Sequence, residues 1–251
     1  MGVTRLAILL DGSIIQTDGH SLKLIARRIT EDTSWVQTAK LAIDNEYLIS
    51  REVPNNLIEQ FGLREVNRGI VFPLYNIDNK LIGAQIRNYN GRPRYSFVGT
   101  RTPLWPMSVL TTMKHNELLF VTEGVFGALR ALKAGRKAVA VMGANSASDS
   151  LPYLENFRIV VAFDNDMPGL IGAAKILSVI PNAVAINPGV KADEMSVEEW
   201  QSFDGIVKTK RSILSIAMSS DNPALVNTSA QKFSLAWHKR TLQTRHKNYV
   251  H

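Results

Sequence analysis

Three acidic residues stand immediately past the ends of two short apolar runs: Glu123 after Leu118 to Thr122, then Asp164 and Asp166 after Ile159 to Phe163. Runs of this length, each followed by a turn and a segment of helical period, read as strands of a parallel sheet. In open α/β sheets ligands bind beyond the carboxyl ends of the strands, so these carboxylates are offered to one crevice. Two carboxylates about 4 Å apart repel by roughly 4 kcal/mol at an effective dielectric near 20, and a cation offsets that. An all-oxygen set suits Mg²⁺, with Mn²⁺ as the alternative, because Mg²⁺ keeps several waters and shares its shell with substrate phosphates. Solvated turn residues and helix caps carry the same residue types, and a lone Asp-x-Asp does not choose between the readings.

A second group of residues is cationic. Between Asp78 and Glu117 the chain has no acid, yet Lys80, Arg87, Arg92, Arg94, Arg101 and Lys114 fall there, interleaved with Tyr89, Tyr95, Phe97 and Trp105. Aromatic faces stack bases while cations track phosphates, so this run reads as a contact for single-stranded nucleic acid. The formal net charge of +7 agrees with a polyanionic partner. After Asp221 the chain is again acid-free and basic, which suits either a solvated face or a docking helix over Gln231 to Arg245. The turn Gly143-Ala144-Asn145-Ser146 leads into a helix, where backbone N–H groups can hold phosphate oxygens; Ser146 or Ser148 as a simple N-cap is the equal alternative.

The elements that must position these residues follow from patterning. Leu6 to Leu10 and Ser13 to Thr17 flank Asp11-Gly12 as a hairpin. Thr33 is placed to cap a helix running through Ile49, and a second helix after Pro54 buries Leu57, Ile58 and Phe61 before stopping at Gly62. From Gly69 the period becomes two, giving strands at Ile70 to Leu74 and Leu81 to Arg87. Leu104 to Leu110 reads as a link. Then come the strand from Leu118, a helix from Val125 to Ala134, the strand Ile159 to Phe163, a helix opened by Pro168, and a strand from Ala183 to Ile186; a helical reading covers Ile206 to Met218. Cysteine is absent, which excludes disulfides and thiolate zinc sites. No apolar stretch approaches ~18 residues and the N-terminus lacks a signal layout, so a soluble cytoplasmic protein with no membrane contact is expected.

The order strand, Glu-Gly, helix, strand, Gly turn, helix, strand, Asp-x-Asp-x-x-Gly, helix resembles the TOPRIM domain of DnaG-type primases, phage primase-helicases, topoisomerases and some nucleases. It is carried by Thr122-Glu123-Gly124, the Gly143 to Ser146 turn, and Asp164-Asn165-Asp166 with Gly169. Tyr47-Leu48, Arg51, Leu57-Ile58 and Phe61-Gly62-Leu63 are similar to the helical lead-in of the same primases, and the Phe72-Pro73 strand with its hairpin to their N-terminal subdomain. The resemblance implies an α/β fold: a TOPRIM domain, with a parallel sheet flanked by helices, over 117–200, preceded by a smaller primase-like α+β subdomain over 33–116. A hairpin and lead-in over 1–32 and a basic tail over 201–251 complete the expected organisation.

By that resemblance the activity is synthesis of short RNA primers on single-stranded DNA, and the closest flavour is the phage replicative primase. Glu123, Asp164 and Asp166 would be catalytic and, with Asp193, would hold Mg²⁺. Glu194 is the fallback for Asp193, because Lys191-Ala192-Asp193-Glu194 departs from the family's acidic pattern. Arg87 and Arg94 fall at the family's basic positions, and Arg92, Arg101 and Lys80 extend the nucleotide and template track. Partners implied are the DNA template, ribonucleoside triphosphates and a replicative helicase or other replisome protein, in the host cytoplasm if phage-encoded. Three departures stand out: with no cysteine, no zinc-binding module is expected; Gly127 occupies a position where many primases carry an acid; and the final acidic cluster is altered. A nucleic-acid-binding replisome adaptor and a TOPRIM nuclease are the alternatives.

Overall fold

A computed structural model describes residues 5–8, 14–17, 32–90, 92–143, 146–187, 190–202 and 206–208. Strands β1 (Arg5–Ile8) and β2 (Ile14–Thr17) pair antiparallel with Ile8 opposite Ile14, as expected of two strands flanking Asp11-Gly12. The helix expected from Thr33 to Ile49 is instead two short pieces, α1 (Trp35–Thr38) and α2 (Glu46–Ser50). Between them the backbone is spent on a strand: Ala42 N donates to Leu63 O and Glu65 N to Lys40 O, with Leu41 bridging Arg64. Asn45 then restarts the helix, its side chain accepting from Tyr47 N and Leu48 N at 3.1 and 3.3 Å. Helix α3 (Asn55–Phe61) ends at Gly62 in the left-handed region, φ +61°, as expected.

Strands β3 (Arg64–Val66), β4 (Gly69–Tyr75), β5 (Leu81–Asn88) and β6 (Tyr95–Gly99) form an antiparallel sheet in sequence order. Two of these were expected; β3 and β6 are additional. The period of two sorts β4 between two apolar layers. Ile70, Phe72 and Leu74 enter the main core, whereas Val71 joins Val36, Ala84 and Ile86 in a smaller one.

The segment expected to be a link is a buried seam. Leu104, Trp105, Met107, Val109 and Leu110 are all buried, the last two within α4 (Ser108–Thr111). Trp105 exchanges backbone hydrogen bonds with Ala140, its indole Nε1 donates to Pro73 O at 3.1 Å, and its ring meets Phe61 and Phe72 edge-on at 5.5 Å. A tryptophan at 2% exposure stacks no base, so Trp105 leaves the nucleic-acid track.

The second half alternates as the sequence predicts: β7 (Leu118–Thr122), α5 (Val125–Lys133), β8 (Ala138–Ala140), α6 (Ala147–Leu154), β9 (Arg158–Ala162), α7 (Met167–Val179) and β10 (Val184–Asn187), with α8 (Val197–Ser202) an addition. Residues 206–208 are not helical; as β11 (Ile206–Lys208) they pair antiparallel with β10. The sheet order is β11-β10-β9-β7-β8, with β10, β9, β7 and β8 parallel. The chain leaves β7 towards β8, then returns past it to β9, so the order reverses between β7 and β9. The tail helix expected over Gln231 to Arg245 lies outside the described residues. Among those described, no helix is long and apolar enough to cross a membrane.

Candidate metal and nucleotide cleft

Reversal of strand order opens a crevice at the carboxyl ends of the flanking strands, and two of the predicted acids stand at that point. The register sets Thr122 opposite Ala162; Glu123 follows Thr122 directly and Asp164 lies two residues past Ala162. They line one cleft of about 300 Å³ with Asp193, Lys191, Arg94 and Tyr95. One carboxylate oxygen of Glu123, Oε2, is shielded from solvent. The Glu123 turn is clamped to its neighbour, Gly143 N donating to Glu123 O at 2.9 Å and Val141 N to Thr122 O at 3.0 Å. Burial pushes the Asp164 carboxyl above its ordinary pKa. Lys191 opposes that shift, while Asp193, Asp166 and Glu194 add to it by repulsion.

The Asp-x-Asp-x-x-Gly spacing has a local explanation. Asp166 is the N-cap of α7, its Oδ1 accepting from Gly169 N at 2.9 Å. Gly169 lies so close to the turn that a Cβ there would run into the Asp164 carbonyl oxygen. The cap and the glycine together fold the loop that presents Asp164. Asp166 itself is not among the residues lining the cleft.

Asp193 reaches the cleft but is paired with Arg51, whose guanidinium also lies over the Phe126 ring at 4.8 Å. Arg130 Nε donates to Asp193 O at 3.3 Å. Beside it, Glu52 pairs with both Arg130 and Lys133. Sequence reasoning assigned no role to Arg51 or to Lys191. For Arg51 the local sequence names no partner, since no acid stands three or four positions away on its own helix.

Among the described residues no three acidic or histidine side chains are gathered to hold a metal ion. Glu123 and Asp164 both line the cleft, and two carboxylates are the protein share that Mg²⁺ asks for when substrate phosphates and waters complete its shell. The donor chemistry therefore fits Mg²⁺ through these two, with Asp193 engaged by Arg51 and Asp166 by its helix. Gly127 is explained by space. Its Cβ would meet Ala192 Cβ at 3.0 Å and Thr122 Cβ at 3.1 Å, leaving no room for an acid.

The cationic track is rearranged. Arg94 lines the cleft and Arg92 is exposed beside it. Arg87 is committed internally: Nε donates to Tyr47 OH at 3.0 Å and the guanidinium lies over the Tyr47 and Tyr95 rings. Lys80 precedes β5 at the end opposite Arg87, about 24 Å away along the strand. Arg101 lies over Phe97 at 3.8 Å, outside the cleft. Tyr89 accepts from Asn45 Nδ2 at 2.9 Å and packs on Tyr47. In the predicted phosphate turn, Gly143 takes φ +123° and lines the cleft, but its N–H is used by Glu123 O, and Ser146 N donates to Gly143 O at 2.9 Å. Ser146 makes no side-chain cap, and Asn145 lies outside the described residues.

A family model for Toprim-like domains matches residues 120–195. Among curated proteins no sequence matches the chain. Solved structures do. The primase fragment of the bacteriophage T7 primase-helicase aligns with a TM-score of 0.52 at 16% identity, over 61% of this chain and 69% of that one. The E. coli primase catalytic core gives 0.53 at 15% identity, over 69% and 76%. A DnaG primase catalytic domain bound to single-stranded DNA gives 0.55 at 14% identity, over 74% and 80%. The fold is that of a primase-type TOPRIM core, with the parallel sheet flanked by helices and an antiparallel sheet before it.

Proposed function

We propose that the chain is a primase-like nucleotidyltransferase, joining ribonucleotides into short RNA primers on single-stranded DNA during replication, in a phage-type replisome. The observation that carries this reading is the placement of Glu123 and Asp164 on either side of the strand-order reversal, in one cleft that Arg94 and Lys191 also line. In the reaction a 3′-hydroxyl oxygen bonds to the α-phosphorus of the incoming triphosphate, pyrophosphate leaves and the hydroxyl proton passes to solvent. Glu123 and Asp164 would hold Mg²⁺ or Mn²⁺. When bound, that ion supplies charge neutralisation at the phosphates and a lowered hydroxyl pKa. Arg94 and Lys191 would orient the triphosphate, and Tyr95 forms part of the cleft wall. Template binding draws support from the likeness to a primase domain bound to single-stranded DNA, and a replicative helicase partner from the likeness to part of a primase-helicase. Replication as the task implies the cytoplasm, that of the host if phage-encoded.

The test is labelled ribonucleotide incorporation on single-stranded DNA with Mg²⁺ or Mn²⁺, beside a cleavage control. Asp164→Asn is expected to lower incorporation by about a hundredfold or more while DNA affinity is kept. Equal loss of both would make Asp164 structural and sink the catalytic assignment. A second reading, a non-catalytic replisome adaptor on this core, is favoured by the Arg51–Asp193 pair and the capping role of Asp166, which leave two cleft carboxylates. That reading takes over if the wild-type chain binds DNA but incorporates nothing.

A further inference from the structure

Next to the cleft lies a second pocket, of about 360 Å³, that no catalytic role explains. Met142 borders both, and Gly143 beyond it belongs to the cleft alone. One wall comes from the end of β6 and the residues after it: Phe97, with the Arg101 guanidinium stacked on its ring at 3.8 Å. The other wall is α6, where Asp149 and Tyr153 at i and i+4 share a face and Tyr153 is 38% exposed. On β6, Tyr95 and Phe97 alternate by two and so lie on one face about 7 Å apart. Tyr95 lines the cleft and Phe97 the pocket, so one strand face runs continuously from one to the other.

The chemistry of the walls selects the ligand. A planar cation on an aromatic ring and an exposed tyrosine offer stacking faces. Asp149 repels a phosphate but accepts from an exocyclic amino group on a base edge. Among the described lining residues Arg101 is the only cation, so a triphosphate is poorly served. We propose that this pocket is a nucleobase subsite, seating one base of a single strand whose phosphates pass the cleft. The proposal rests on the reading of the chain as a core that handles single-stranded DNA, but it does not require that synthesis occurs.

The experiment measures binding of a fluorescent single-stranded oligonucleotide to the full chain without metal or nucleotide, at several salt concentrations. Tyr153→Ala should weaken binding about five- to hundredfold with the salt slope unchanged, and Tyr153→Phe should restore it. Arg101→Ala should weaken binding and also reduce the slope by about 0.7. Because Tyr153 is exposed, an unchanged melting temperature is the folding control. A strand carrying 5-iodouracil should crosslink to α6 at Tyr153. Wild-type affinity in Tyr153→Ala, or crosslinks confined to other elements, overturns the subsite. A raised KM for ribonucleotides with unchanged DNA affinity assigns the base to the incoming nucleotide and equally overturns it. If Tyr153→Ala weakens binding while the wild type incorporates nothing, the subsite stands and the primase reading falls.

Discussion

Asp164 is a side chain that the surrounding structure holds against its own preference. Burial and three nearby acids press it towards its neutral form, and the backbone that carries it has no slack because Gly169 is packed against its carbonyl. Gly169→Ala is therefore expected to cost about 1–3 kcal/mol, read as a lower urea midpoint, and to remove activity by displacing Asp164. Gly124, whose added Cβ would meet nothing within 4 Å, is the comparison: as the N-cap of α5 it should lose less on replacement by alanine, about 1 kcal/mol at most. At this scale the sequence showed which acids follow which strands. It did not show that Asp166 turns back as a cap, because the same Asp-x-Asp spacing serves both roles until the helix start is fixed in space.

The connection between α2 and the parallel sheet is electrostatic as well as apolar. Arg51 and Glu52, adjacent in sequence, reach Asp193 on one side and Arg130 with Lys133 on the other. Arg130 foremost, then Lys133, holds the Glu52 carboxyl down from 4.5 to about 2. A depressed carboxylate contributes stability that is present above its unfolded pKa and lost as pH falls through the folded one. The stability difference between wild type and Glu52→Gln should hold down to about pH 4.5 and vanish by about pH 2. Denaturant titrations across that range check it, and a difference growing in acid would refute the pairing. Element by element, β7, α3 and α5 were legible because an apolar run or stripe ended at a turn or a glycine. The helix expected from Thr33 to Ile49 breaks in two because its period continues through residues whose backbone pairs with β3 instead.

Among the described residues the four-stranded and five-stranded sheets share one apolar core, with Trp105 hydrogen-bonded to both. Among the described residues, the acid-free run offers a nucleic acid fewer cations than its charge count suggested. Of the six cations in the acid-free run, Arg87 is bound to Tyr47, Lys80 sits at the far end of β5, and Lys114 precedes β7 at the end of the sheet away from the cleft. Arg92, Arg94 and Arg101 remain, joined by Lys191. Four cations on a single strand give log K against log salt a slope of roughly −3, whereas all six of the acid-free run would give roughly −4. Fluorescence anisotropy over a salt series decides between them, and a flat response would remove the nucleic-acid role.

By itself the sequence determined where strands end and acids begin. Those features depend on neighbours in the chain: apolar runs, turn residues, and glycines where a backbone turns or another approaches. Only the tertiary structure decided which charges are available, because pairing is set by proximity in space. Asp193 meets Arg51 across 142 positions, and no local pattern carries that distance.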